Sequence, residues 1–232
     1  MESHDLKRRF ADFVLGSATD PVTLDQFAAI ARVVRADRTE RVRLDESGPQ
    51  FVFIGEGATK LVAHASSGRE QIVAFHFHDD LVSIPPRGPH SYYLCALESC
   101  TMLVFNADKF MALAVTEPGI LNETCQRTLA ALWRSREKAI QLGRKTARER
   151  LANFLLQMAE RKVPHRTGSC EVHLPMSRRD IADSLGLTIE TVSRQIGELK
   201  TEGLIGTAGR STVHLHDLQS LRTRADLLPD PG

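Results

Sequence analysis

An antiparallel β domain, one long helix and a helix-turn-helix with a β wing, together an α+β fold, are predicted by three observations. From Arg41 to Phe110, short apolar runs are broken by Gly, Pro, Asp and Ser. After Pro118, helix formers continue without a proline as far as Lys162. Near the C-terminus a capped helix, a glycine turn, a second helix and two short strands follow in close order. The 232 residues, 42% of them hydrophobic, suffice for one large core or two modest ones.

Residues 1–35 are predicted to form a helical arm, since LKRRFADFVL and TLDQFAAIARVV repeat their apolar positions at three and four. Residues 36–117 form the β domain, where FVFI, KLVAHA, QIVAF, SYYLCAL and TMLVF have the length and content of strands in a sandwich or barrel. Residues 118–143 form the long helix. Along it Leu121, Cys125, Thr128, Leu132, Ser135, Ala139 and Leu142 step alternately by four and three, the spacing of a coiled-coil seam. Small residues in that seam let two helices approach closely, while another stripe packs on the β domain. Gly143 to Thr146 is expected to be a hinge into ARERLANFLLQMAERK, which opens a second domain over residues 144–222, with 223–232 as a tail.

Charge and cysteine content narrow the function classes. With 30 basic and 29 acidic residues the net charge is +1, so affinity for nucleic acid must come from local clustering. Cys95, Cys100, Cys125 and Cys170 form neither CxxC pairs nor a dense framework, which predicts a reducing compartment. No secretion leader opens the chain, and no apolar run reaches the roughly 20 residues that span a bilayer. A cytoplasmic protein with no membrane partner is expected.

The chemistry concentrates in MSRRDIADSLGLTIETVSRQIGELKTEGLI. Ser177 is placed to cap a helix RRDIADSL, with Asp180 completing a capping box. Gly186 supplies a left-handed turn, and Thr188 caps the next helix. On that helix Val192, Ile196 and Leu199 share one face, and Ile189, Glu190, Ser193 and Arg194 the other. In isolation, Glu190 and Arg194 are an ordinary i, i+4 ion pair worth a few tenths of a kcal/mol. The grammar around them changes that reading, because TEGLIGTAGRSTVHLHD follows as two strands about an Ala-Gly-Arg turn, making a winged helix-turn-helix. The second helix of such a motif enters the major groove. Arg194 then suits guanine O6 and N7, Glu190 an exocyclic amino group, and Ser193 or Ile189 a thymine edge. Ser177, Arg178, Thr188, Thr191, Arg210 and Ser211, with Lys200 ranked lowest, are placed for phosphates, which set register without reading sequence.

These residues resemble the Crp–Fnr family of transcription regulators, most closely its FNR and FixK branch. DIADSLGLTIETVSR looks like that branch's recognition segment, with Glu190, Ser193 and Arg194 as its E-x-x-S-R pattern. GREQIVAFHFHDDLVS and LCALESCTMLVF resemble the family's effector β-roll, and ARERLANFLL the stretch after its hinge. The resemblance covers most of the chain and implies a double-stranded β-helix of jelly-roll kind at the N-terminus. It also implies a homodimer joined through the long helix, a TTGA-N6-TCAA palindrome as double-stranded DNA partner, contact with RNA polymerase, and control of low-oxygen or nitrogen metabolism. The sensing equipment departs from the family. HFHDDLVSIPPRGPHSYYLCAL places Asp79 and Asp80 where a cyclic nucleotide would need donors for its phosphate, and Arg87 lacks an adjacent serine. Residues 1–94 hold no cysteine for an iron–sulfur cluster. No cofactor is expected.

Three competing readings carry less. His76, His78, Asp79 and His90 suggest a metal-binding, cupin-like β-barrel enzyme, but no separate general acid or base accompanies them, so neither metal nor catalysis is expected. A small-molecule site in the β-roll leaves no spacing signature. Activator or repressor behaviour depends on operator position, which protein sequence does not carry.

Overall fold

The structure, a computed structural model, describes residues 3–15, 20–45, 48–65, 68–86, 88–162, 168–209 and 211–226. They fall into two compact units, Met1–Arg134 and Ser135–Gly232.

In the first unit, α1 (Ser3–Phe10) runs into a π-helical turn (Ala11–Leu15), and α2 spans Pro21–Ile30. Pro21 fits the first turn of α2, and the Asp20 carboxylate accepts from the Val22 and Thr23 amides at 2.8 and 3.1 Å. The sequence periodicity carried this helix through Val34. Instead it stops at Ile30, and Arg32–Ala36 forms β1, antiparallel to β7 (Cys100–Asn106). Its burial alternates, with Val34 and Ala36 inside and Arg32 and Arg35 outside. Two β-branched residues beside an unpaired strand edge favour the ladder over a few more helical bonds.

The remaining strands are β2 (Gln50–Glu56), β3 (Ala58–Ala65), β4 (Glu70–Phe77), β5 (Leu81–Ile84) and β6 (His90–Ala96). They form two antiparallel sheets, ordered β1-β7-β2-β5 and β4-β3-β6. Val52, Ile54, Leu61, Leu94, Met102 and Val104 belong to one buried cluster drawn from both sheets. Gly57 turns between β2 and β3 at φ +87°, where a Cβ would lie 2.5 Å from the Ser99 carbonyl oxygen.

A second cluster covers the other face of the four-stranded sheet. Phe10 from α1, Phe27 from α2, Phe53 and Phe105 from the sheet and Phe110 from α3 (Ala107–Ala114) are all buried. Ring centroids lie 4.9 Å apart for Phe10–Phe105 and 5.0 Å for Phe27–Phe110. Coverage on both faces explains why β2 and β7 are apolar almost throughout. The sequence reading missed α3, taking Phe110 as the end of the strand region.

The long helix α4 spans Pro118–Arg144 and α5 spans Ala147–Lys162. In the second unit, β8 (Cys170–His173), α6 (Arg178–Leu185), α7 (Ile189–Thr201), β9 (Ile205–Ala208), β10 (Thr212–Leu215) and α8 (Leu218–Arg224) follow, with sheet order β8-β10-β9. Leu151, Leu155, Val192, Leu199, Leu215 and Leu221 are fully or almost fully buried there. Helix α8 was not foreseen; Asp217 caps it, and Leu218 and Leu221 anchor its buried side. Among the described residues no helix is long and apolar enough to cross a membrane.

Phe110→Ala removes a fully buried ring that stacks against Phe10, Phe27, Phe51 and Phe105. Urea unfolding is expected to show a loss of about 3–5 kcal/mol.

Candidate nucleic-acid interface

Local hydrogen bonds fix the two helices that carry the site. The Ser177 amide and hydroxyl both donate to the Asp180 carboxylate, at 2.8 and 2.6 Å, and the Asp180 amide returns a bond to Ser177 Oγ at 3.1 Å. The predicted capping box is present. The single hydroxyl hydrogen of the exposed Ser177 is engaged by Asp180 within this cap. Arg178, in the first turn of α6, is exposed.

Gly186 ends α6 at φ +62°, ψ +41°, and the Leu187 amide donates to the Ala182 carbonyl at 2.9 Å. Thr188 then caps α7, accepting from the Thr191 amide at 3.2 Å, with the Thr188 and Thr191 hydroxyl oxygens 3.1 Å apart. From this start Val192, Ile196 and Leu199 are buried, as is Gln195. Glu190, Ser193 and Arg194 are exposed together, while Ile189 and Thr191 are half-buried beside them. The next position on the same face, Gly197, is exposed and bare. A shallow strip of backbone therefore follows the three polar side chains.

The Glu190–Arg194 ion pair of the simplest sequence reading is replaced by another. Arg194 Nε lies 3.8 Å from Glu198 Oε1, with both side chains largely exposed, a contact that releases at small cost. Glu190 instead turns to the helix start, where its own amide and the Thr188 hydroxyl hold its carboxyl below the ordinary range. It is an ionised acceptor throughout the neutral range. Donor and acceptor thus stand side by side on one helix face, the combination needed to address a guanine–cytosine edge.

Around this patch, β9 and β10 form the wing. Gly209 takes φ +63°, Ser211 is half-buried with its carbonyl accepting from the Leu174 amide at 2.7 Å, and Arg210 lies outside the described residues. Lys200 Nζ donates to Thr207 Oγ1 at 3.2 Å, which ties α7 to the wing. Behind the patch, Lys138 on α4 donates to the buried Ser184 hydroxyl on α6 at 3.0 Å. Burial pushes that ammonium down to about 8. Sequence reasoning missed Lys138, because a lysine in a helix carries no pattern that separates a solvated from a desolvated position.

On α4, Cys125, Thr128, Leu132, Ser135, Ala139 and Leu142 are exposed and Leu121 is half-buried. Leu129, Trp133 and Ile140 add to this apolar surface, with Trp133 60% exposed. The strict four–three stepping passed over all three, since they sit on the flank of the stripe rather than along its centre.

The histidines proposed as metal ligands are separated by the sheet order. His76 pairs with Thr59 at one end of β3 and His90 with Ala65 at the other, about 20 Å apart at the rise of a strand. Asp79 is held by Arg9 at 2.5 and 2.8 Å, a hydrogen-bonded pair that raises the guanidinium further above its ordinary range. Among the described residues no group of three or more His, Cys, Asp or Glu side chains is placed to hold a metal. Arg87 lies outside the described residues.

A β domain, a long helix and a winged helix-turn-helix presenting a donor–acceptor patch define a DNA-binding transcription regulator. Residues 149–224 match the Crp-like helix-turn-helix domain. Nitrogen fixation regulation protein FixK of Bradyrhizobium diazoefficiens is 34% identical over 82% of this chain and 80% of its own length. Transcriptional activator protein FnrL of Cereibacter sphaeroides is 33% identical over 80% of this chain and 78% of its own. The solved structure of FixK2 from Bradyrhizobium japonicum superposes with a TM-score of 0.74 at 29% identity, covering 86% of this chain and 100% of that one. The chain belongs to the Crp–Fnr family as a FixK-like regulator, and it is not an enzyme.

The desolvated Lys138 has a measurable signature. Its folded pKa lies below the ordinary 10.5, so between about pH 8 and 10.5 the unfolded chain binds the extra proton and stability rises with pH. Relative to Lys138→Met, the wild-type protein is expected to gain on the order of 3 kcal/mol across that window, read from urea unfolding at a series of pH values.

Proposed function

We propose that this protein is a cytoplasmic, homodimeric transcription activator that binds a TTGA-N6-TCAA palindrome and contacts RNA polymerase, without needing a bound effector. The observation that carries this reading is the outward face of α7, where Glu190, Ser193 and Arg194 stand together over the buried Val192, Ile196 and Leu199. Arg194 donates to guanine O6 and N7, Glu190 accepts from the amino group of the opposing cytosine, and Ser193 and Ile189 meet thymine. Arg178, Thr188, Thr191, Arg210 and Ser211 meet phosphates, and the Ser177 cap holds Arg178 in place. Names of relatives that regulate nitrogen fixation or activate transcription support a role in nitrogen or low-oxygen metabolism.

Two copies meet along α4. The interface takes in the predicted seam, Leu121, Cys125, Thr128, Leu132, Ser135, Ala139 and Leu142, widened by Leu129, Trp133 and Ile140, whose apolar exposure a second helix covers. Two recognition helices related by a two-fold axis then reach successive major grooves, about one helical turn apart.

Binding to the palindrome, against a scrambled duplex and with no added effector, tests the core of this reading by fluorescence anisotropy. Arg194→Ala is expected to cost about 1–3 kcal/mol on the palindrome and to relax preference at one base pair, while Arg178→Ala weakens all duplexes alike and lowers the salt slope by about one. Equal losses on specific and scrambled DNA for Arg194→Ala would remove it from the reading set. Trp133, the single tryptophan, reports the dimer. Its emission should move to shorter wavelength as the protein concentration rises, and Leu132→Glu should hold it at the exposed value with a monomer mass in solution. A monomeric wild-type protein would contradict the α4 interface.

A further inference from the structure

The stretch that the sequence marks as a hinge is held from several sides. Between α4 and α5 only Lys145 and Thr146 leave the helices. The Lys145 amide donates to the Gln141 carbonyl at 3.1 Å, and the Thr146 amide to Glu149 Oε2 at 2.7 Å. Lys145 Nζ reaches the Ala225 carbonyl beyond α8 at 2.8 Å. The central group is Arg150. Its Nε donates to the Lys145 carbonyl at 2.9 Å, Nη2 to the Leu142 carbonyl at 2.8 Å and Nη1 to the Leu185 carbonyl at 3.0 Å. One planar guanidinium therefore joins the last turn of α4, the linker and the last turn of α6.

Those carbonyls include acceptors at two helix C-termini, where intrahelical partners run out and partial negative charge gathers. A rigid fork of N–H donors satisfies three diverging acceptors at once, whereas the compact ammonium of lysine lacks that fixed geometry. Gly186 lies against the same group, since a Cβ there would be 3.6 Å from Arg150 Nη1 and 3.4 Å from Leu142 Cδ2. The Lys138–Ser184 bond is a second tie between α4 and α6.

We propose that Arg150 is a positioning residue for operator recognition, fixing the orientation of α6 and α7 on the last turns of α4 and thereby the half-site spacing that the dimer accepts. Arg150 has no role in reading bases. It acts by removing the freedom of the Lys145 and Thr146 backbone dihedrals, through which any change in angle would be magnified at the far end of α7. The spacing consequence rests on the dimer and palindrome reading above; the fixing of the linker does not.

Arg150→Met and Arg150→Lys test both parts. On palindromes with spacers of five, six and seven base pairs, the wild-type protein should favour six by about tenfold or more, and Arg150→Met should compress that preference to within about threefold. Affinity for scrambled DNA, salt slope and dimer mass should be unchanged, with Arg150→Lys intermediate. A loss equal on all three spacers, or full retention of the preference, would overturn the spacing role. Amide hydrogen exchange on the DNA-free protein reads the linker itself: exchange at residues 143–147 and 186–187 should accelerate by about tenfold or more in both variants, with the core of α5 still protected. Unchanged exchange would overturn the proposal whatever the DNA result. Absence of palindrome binding by wild-type protein, with accelerated exchange in the variants, would instead defeat the operator reading alone. Retained protection of the α5 core in Arg150→Lys identifies the folded variant from which the exchange result is taken should Arg150→Met unfold.

Discussion

The left-handed turn at Gly186 is the constraint on which the DNA-reading surface depends. At φ +62° a Cβ clashes with its own backbone at a cost of about 1–2 kcal/mol, so glycine is what lets the chain leave α6 at Leu185 and start α7 at Ile189. The direction of that exit decides which side of α7 faces the core. With Val192, Ile196 and Leu199 inside, geometry alone brings Glu190, Ser193 and Arg194 to the surface as a group. The caps at Ser177 and Thr188 support the turn from either side by satisfying amides that each helix start would otherwise leave open.

Carbonyl groups at the helix ends set the second layer of organisation. Arg150 and Lys145 take their partners from backbone oxygens of other elements, and Lys138 takes a buried hydroxyl. Backbone acceptors are indifferent to the side chain that carries them, so such ties leave no trace in residue pairing along the sequence. They nevertheless fasten α4, α6 and the end of α8 around two linker residues. Flexibility inferred from Gly143 is therefore opposed, because this glycine lies inside α4 and the break comes after it.

The first unit follows a different economy of contacts. Its four-stranded sheet is covered on one side by the three-stranded sheet and on the other by phenylalanines from α1, α2 and α3. Beside it, the turn after β4 is held to α1 by Arg9 and Asp79, while Arg127 on α4 donates to the Asp79 carbonyl at 3.2 Å and to that of Phe13. Asp79, at φ +69°, is spent on this internal pairing.

Local chemistry made much of the protein legible in its sequence. Caps, a glycine turn and helical periodicity act over three or four residues, and they mark α6, α7 and the polar trio on α7 in the sequence itself. The long helix after Pro118 and the β wing were legible for the same reason. What the sequence left undetermined depended on partners distant along the chain. Arg32, Val33 and Val34 joined β1 because β7 offered an edge to pair with; α3 and α8 formed because buried faces needed their Phe110, Leu218 and Leu221. Arg194 turned to Glu198 rather than Glu190, the Ser177 hydroxyl donated a hydrogen bond to Asp180, and Arg150 found three carbonyls. Periodicity and capping act between near neighbours and so are written in order along the chain; burial and long-range hydrogen bonds exist only once the chain has brought remote groups together.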